Sequence, residues 1–204
     1  MKHIKAIFLF LLFPLFSVKA QEPKINKNLS FLEGQKTIKL EFTYENLTIS
    51  GDKEEDFLKE NYLNQPGFLT YWENEKSKNI PDWFMLSFNN YFEKLDFTGQ
   101  LYSDESKYVC VIHLLSIKKG IKNLITPTFW VSYTFYEEGK RDIPLAYFKE
   151  HVAYAKGGTI ITKTEIKSMA TGDWDEAYSG YYKEGKKIAK LVKKGAKVRK
   201  KPKK

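Results

Sequence analysis

Apolar and polar residues alternate from the first clear element onward. Ile38, Leu40, Phe42 and Tyr44 interleave with Thr37, Lys39, Glu41 and Thr43, and a period of two marks a strand with one buried face. The pattern continues past a kink at Glu45-Asn46 through Leu47 and Ile49, and Ser50-Gly51-Asp52 turns the chain. Asp52 and Glu55 stand at capping-box spacing, which predicts a helix to about Tyr62, ending before Pro66-Gly67. A polar stretch holding Tyr71 and Trp72 reads as a connection. Pro81 then opens a second helix, since its fixed φ suits the first turn. Phe84, Phe88, Tyr91 and Leu95 recur at helical steps and form one face that must be covered.

From Lys107 to Ile117 both strand faces are apolar, which predicts a central strand covered on both sides, at least in part. Thr128 to Tyr136 is a second β-prone run, Glu137 to Lys140 a turn, and Leu145 to Tyr154 a third strand, ending at Gly157-Gly158. Asp173 and Glu176 repeat the capping-box spacing ahead of Trp174, Tyr178, Tyr181, Gly185, Ile188 and Val192, the apolar stripe of a long helix. Glycine costs ~1 kcal/mol in a helix interior. Gly185 on that stripe therefore predicts a close backbone approach to the neighbouring layer. The fold expected is α+β: a mostly antiparallel or mixed sheet of about four to five strands, two helices after the first strand, and a C-terminal amphipathic helix, with helices on one sheet face.

The first 20 residues follow another logic. Lys2 and Lys5 precede an Ile, Phe and Leu run from Ile7 to Phe16, interrupted by Pro14, and Val18-Lys19-Ala20 precedes Gln21. The run is about half the ~20 residues that span a bilayer. With a basic start and small residues at its end it reads as an export signal cut after Ala20. An N-terminal membrane anchor is the other reading. The expected divisions are residues 1–20 signal, 21–36 flexible lead-in, 37–194 one α+β domain and 195–204 a basic disordered tail. The expected location is periplasmic or secreted.

The single cysteine, Cys110, excludes an internal disulfide and a cysteine metal cluster. The 34 basic and 25 acidic residues give a net +9, which invites a nucleic-acid reading. The distribution removes that inference from the total. Residues 183–204 hold twelve basic side chains and one acid, Glu184, a net +11. Residues 21–182 hold 19 basic and 24 acidic side chains, a net −5. The chain is a mildly acidic domain with a basic C-terminal segment.

Two stretches carry a likeness. One is Lys39-Leu40-Glu41-Phe42-Thr43-Tyr44 followed by Gly51-Asp52-Lys53-Glu54-Glu55-Asp56-Phe57. The other is Gly172-Asp173-Trp174-Asp175 leading into Tyr181-Tyr182-Lys183-Glu184-Gly185-Lys186-Lys187-Ile188-Ala189-Lys190. Over about residues 36 to 193 they resemble a family of exported proteins from Bacteroidetes-type bacteria that carry no assigned reaction. The resemblance implies a fold similar to small sheet domains of envelope assembly proteins, such as the amino-terminal domain of TolB and the secretion-channel lipoprotein of curli. It implies location and fold, with no catalytic residues.

The residues themselves show no G-x-S-x-G, P-loop or G-x-G-x-x-G. His113, His151 and Glu150 are metal-ligand types, but no spacing brings them together, so structural roles, with no metal and no cofactor, are expected. Lys193, Lys194, Lys197, Arg199, Lys200, Lys201, Lys203 and Lys204 form the candidate site for an anionic envelope component. Lipopolysaccharide phosphate, a lipid headgroup, an acidic glycan or another envelope protein would suit it. A merely solubilising tail is the plainer reading. Phe68, Tyr71, Trp72 and Trp83 are either an aromatic ligand shelf or a small core under a connection. The function expected is a non-enzymatic envelope-associated interaction module. The alternatives are a hydrolase or lyase on an envelope polymer, using Glu150 or Asp104 with His151, and a nucleic-acid binder through the tail.

Overall fold

The computed structural model describes residues 24–62, 66–103, 105–118, 128–153 and 175–199. After a short 3₁₀ turn at Ser30–Leu32 come β1 (Thr37–Thr43), β2 (Thr48–Ile49), β3 (Asp52–Lys53), α1 (Glu54–Tyr62) and α2 (Pro66–Asn74). A π-helical turn (Glu75–Asn79) leads into α3 (Ile80–Phe92), followed by β4 (Thr98–Leu101), β5 (Tyr108–Lys118), β6 (Thr128–Glu137), β7 (Ala146–Ala153) and α4 (Asp175–Ala196).

The sheet is mixed, as its residues predicted. Across it the order is β4, β1, β5, β6, β7, with β4, β1 and β5 parallel and β5, β6 and β7 successively antiparallel. The kinked first strand is present. β1 pairs with Val109 to His113 of β5, and β2 resumes on the same edge at Ser116 and Ile117. Between them Asn46 takes a left-handed φ of 56°, and Leu47 N–H donates to Tyr44 O at 3.1 Å. The Glu45 carbonyl, released from the ladder, accepts from His113 Nε2 at 2.7 Å. A carbonyl can only accept, so that nitrogen carries the proton. His113 therefore fills the gap the kink opens.

One sheet face holds Leu40, Cys110, Ile112, Tyr133, Phe135 and Phe148, all buried. α3 and α4 lie side by side on this face. Phe42 meets Phe84 edge-on at 5.5 Å, and Phe129 stacks on Tyr181 at 4.7 Å. The two helices run parallel: Trp83 meets Tyr182, Phe84 and Ser87 meet Gly185, and Tyr91 meets Lys193. A Cβ at Gly185 would overlap the Phe84 carbonyl oxygen, which is why the seam needs glycine there. A Cβ at Gly195 would likewise overlap Leu29.

Four expectations need correction. Residues 66–74 are helix, not a connection, because Phe68 and Trp72 sit four apart and turn one face inward. Pro81 stands in the first turn of α3, as expected, but that helix is not separate from the residues before it: Ile80 N–H reaches back to Glu75 O across the π-helical turn, so helical backbone runs from Pro66 to Phe92. The lead-in is structured from residue 24. Asn26 pairs with Tyr147 by backbone bonds of 2.7 and 3.0 Å, and Leu29 and Leu32 are buried. Finally, the body extends past 194: Ala196 is buried and Val198 packs against the core. The export signal, the Asp173-Trp174 helix start, Gly157-Gly158 and residues 200–204 lie outside the described residues.

Candidate functional site

α4 has two faces because its apolar residues repeat at helical spacing. Tyr181, Ile188, Val192 and Ala196 are buried, while Lys186, Lys190 and Lys194 are exposed. Lys183, Lys186, Lys190 and Lys194 line one stripe and have no ion-pair partner among the described residues. The lysines beside the stripe are engaged. Lys187 bonds Glu150 at 2.8 Å, Lys193 lies 5.6 Å over the Tyr91 ring, and Lys197 bonds Glu33 at 2.8 Å.

The helix ends in a left-handed cap. Lys197 has φ 49°, and Val198 N–H donates to Lys193 O at 3.3 Å, a six-to-one closure. The cap turns the chain across the end of α3, where Arg199 O accepts from Asp96 N–H at 3.1 Å. The expected site residues Lys193, Lys194, Lys197 and Arg199 thus share one end of α4. Lys200, Lys201, Lys203 and Lys204 follow in the chain, outside the described residues. Two neighbours were not singled out from sequence: Lys94, exposed at the end of α3, and Lys36, bonded to Asp96 at 2.9 Å. They join this pole only because α3 and α4 run parallel, a tertiary fact without local signature.

The aromatic group divides. Trp72 is 1 % exposed and Trp83 4 %, so both belong to the core, a correction to the ligand shelf. Phe68 stacks on Tyr62 with centroids 3.6 Å apart, and Tyr71 lies 5.9 Å from Phe68. The Trp72 indole N–H donates to the Glu54 carboxylate, which also accepts from Lys76 at 2.7 Å. These rings form a small core under α1, the plainer of the two readings.

A polar chain, missed from sequence, runs from the buried Tyr133–Glu184 pair between α4 and the sheet out to half-exposed Lys187 and Lys27. The Tyr133 hydroxyl donates to Glu184 at 3.0 Å, Lys187 lies 3.5 Å from Glu184 and 2.8 Å from Glu150, and Lys27 lies 2.8 Å from Glu150. Burial raises the Glu184 pKa above its ordinary 4.5 and outweighs Lys187 and Tyr133. Burial would also raise Glu150, but the bonds to Lys187 and Lys27 win and hold it below. The space beside Glu184, lined by Phe42, Phe84 and Tyr181, has room for about one water.

A raised folded pKa means that the folded state favours the protonated acid. That contribution is full below pH 4.5 and is lost as pH rises through the raised value. Glu184→Gln keeps an acceptor for Tyr133 and removes the titration. Its stability is expected to match the parent in acid and to exceed it increasingly towards neutral pH, read from thermal midpoints across pH. A gap that does not change with pH would contradict this account of Glu184.

The Glu150–His151 pairing of the hydrolytic reading does not assemble. Glu150 and His151 are adjacent on β7 and point to opposite faces: Glu150 reaches Lys187 of α4, whereas His151 stacks on Trp130 on the other face, 4.6 Å away. Asp104 lies outside the described residues. His113 is held by Glu45, as described.

No protein-family model matches the chain, and no curated protein does. Among solved structures, a minor lipoprotein from Acinetobacter baumannii aligns at TM-score 0.32 and 10 % identity, over 81 % of this chain and 98 % of that one. A Xanthomonas campestris protein of family DUF330 aligns at TM-score 0.32 and 8 % identity, over 76 % and 81 %. Likeness at that level carries no argument about this chain. No helix among the described residues is long and apolar enough to cross a membrane.

Proposed function

We propose that this chain is an exported, non-catalytic envelope module that binds an anionic surface through the end of α4 and the basic residues beyond it. The observation that carries the reading is the separation of charge. Residues 183–204 hold twelve of the basic side chains, and the rest of the chain after residue 20 is net acidic. Lys194 and Arg199 are exposed, without an ion-pair partner among the described residues. Two acids at this end are occupied, Glu33 by Lys197 and Asp96 by Lys36. Each lysine near an anionic membrane is worth about 1 kcal/mol, and salt screens it. The export signal read from residues 1–20 supports an envelope location.

The test is sedimentation with phosphatidylglycerol vesicles, with phosphatidylcholine vesicles as the neutral control. Deleting residues 200–204 removes four lysines and spares Gly195, Ala196 and Val198, which belong to the body. At about 1 kcal/mol each, the deletion is expected to weaken binding at least roughly 100-fold at low salt. Binding should also fall as salt rises from about 0.01 to about 0.15 M, which shortens the screening length from about 30 to about 8 Å. Equal binding by both forms would overturn the role of the tail.

A further inference from the structure

We propose that the domain meets an anionic phospholipid bilayer end-on, through the pole where α3 and α4 end, with α1 and α2 turned away. This orientation rests on the anionic-surface reading above. Three observations support it.

The described C-terminal end lies at this pole, with Leu29 to Glu33 beside it. Leu29 packs on Gly195, Glu33 bonds Lys197 at 2.8 Å, and Asp96 holds the Arg199 carbonyl at 3.1 Å. Arg199, the last described residue before Lys200, therefore lies at this pole beside Leu29 to Glu33.

The pole is basic. Lys94, Lys194 and Arg199 are exposed and have no ion-pair partner among the described residues. Lys36 and Lys197 occupy Asp96 and Glu33. Glu93 adjoins Lys94 in the chain, and the start of β5 and end of β6 bring Glu105, Glu137 and Glu138 to this end of the sheet together with Lys107 and Lys140.

The opposite pole is acidic. α1 opens with Glu54, Glu55 and Asp56, and Glu60 and Glu73 are exposed beyond them. From Ser77 to Phe92 the helical backbone rises about 22 Å, at roughly 1.5 Å per residue. That exceeds a screening length of about 8 Å at physiological salt, so in the end-on pose these acids do not oppose binding. A pose lying flat on the lysine stripe would lay α3, which packs beside α4 and carries exposed Asp82, nearer the surface.

Two isosteric substitutions read the orientation. Ser30→Cys labels the basic pole and Ser77→Cys the far one, both at exposed positions. Cys110 is fully buried, so labelling of the native full chain is selective, with unsubstituted protein as control. Each fluorophore is exposed to phosphatidylglycerol vesicles carrying a nitroxide on the lipid headgroup, and circular dichroism verifies that each variant folds. The expected result is several-fold stronger quenching at position 30 than at 77. Binding with equal quenching, or stronger quenching at 77, overturns the orientation and leaves the anionic-surface reading intact. Binding to polyphosphate without binding to vesicles overturns the bilayer as occupant. Absence of binding to either removes both readings.

Discussion

Replacing Gly185 with valine is expected to lower the unfolding free energy by about 3 kcal/mol, the upper part of the range for forced overpacking. The reason is specific to the seam between α3 and α4. The atom a side chain would strike there is the Phe84 carbonyl oxygen, a backbone atom that cannot rotate aside, with the Ser87 Cβ next to it. Valine adds a β-branch to a position that already excludes one carbon, and separates α4 from the layer that buries Ile188 and Val192. Lys186→Ala, one residue on and exposed, should stay within about 0.5 kcal/mol of the parent. Urea unfolding of the three proteins decides the matter. An unchanged midpoint for Gly185→Val would mean that the helices do not meet at this glycine.

Trp72→Ala is expected to cost about 3–5 kcal/mol, the usual penalty for emptying a large aromatic site in a core. The indole is 1 % exposed, and its N–H holds the Glu54 carboxylate at the start of α1. Removing it leaves a cavity and takes one donor from Glu54, though Lys76 still bonds it. The same substitution on an exposed ligand shelf would leave stability almost unchanged and weaken only ligand binding. Thermal unfolding therefore separates the two readings of this aromatic group, and a midpoint shift of a degree or less would contradict the core assignment.

The strand with its kink was legible because a period of two breaks visibly at Glu45-Asn46, and no other element tolerates that pattern. The amphipathic stripe of α4 was legible for the same reason, and Gly185 on it pointed to a close backbone approach to a neighbouring layer, which the structure assigns to α3. The helix at 66–74 was not. Pro66-Gly67 is a turn signal, and a nine-residue helix gives only two turns of periodicity. Tertiary burial of Trp72 overrides that local preference. Leu29 and Leu32 lie in the expected flexible lead-in yet are buried, and Leu29 packs against Gly195, more than 160 residues away in the chain. The pole was legible only by half. A run such as Lys193-Lys194 announces itself, whereas Lys36 and Lys94 join it through the parallel arrangement of α3 and α4. The Tyr133–Glu184–Glu150 chain had no local signal, since its members sit on three different elements.

The arrangement ties the two themes together. α4 docks through a glycine seam and a buried acid on one face, and on the other it carries lysines without an ion-pair partner among the described residues towards its C-terminal end. The central claim is that position of charge, rather than total charge, governs attachment to an anionic surface. Two triple variants with the same loss of charge test it. One neutralises the pole, Lys94→Gln, Lys194→Gln and Arg199→Gln; the other neutralises Lys53, Lys59 and Lys78, exposed lysines on β3, α1 and the π-helical turn. Sedimentation with phosphatidylglycerol vesicles at low salt is the measurement. At about 1 kcal/mol per charge near the surface, the pole variant is expected to bind roughly 100-fold more weakly and the distal variant to bind within about twofold of the parent. Equal losses in the two variants, or no loss in the pole variant, would contradict the account.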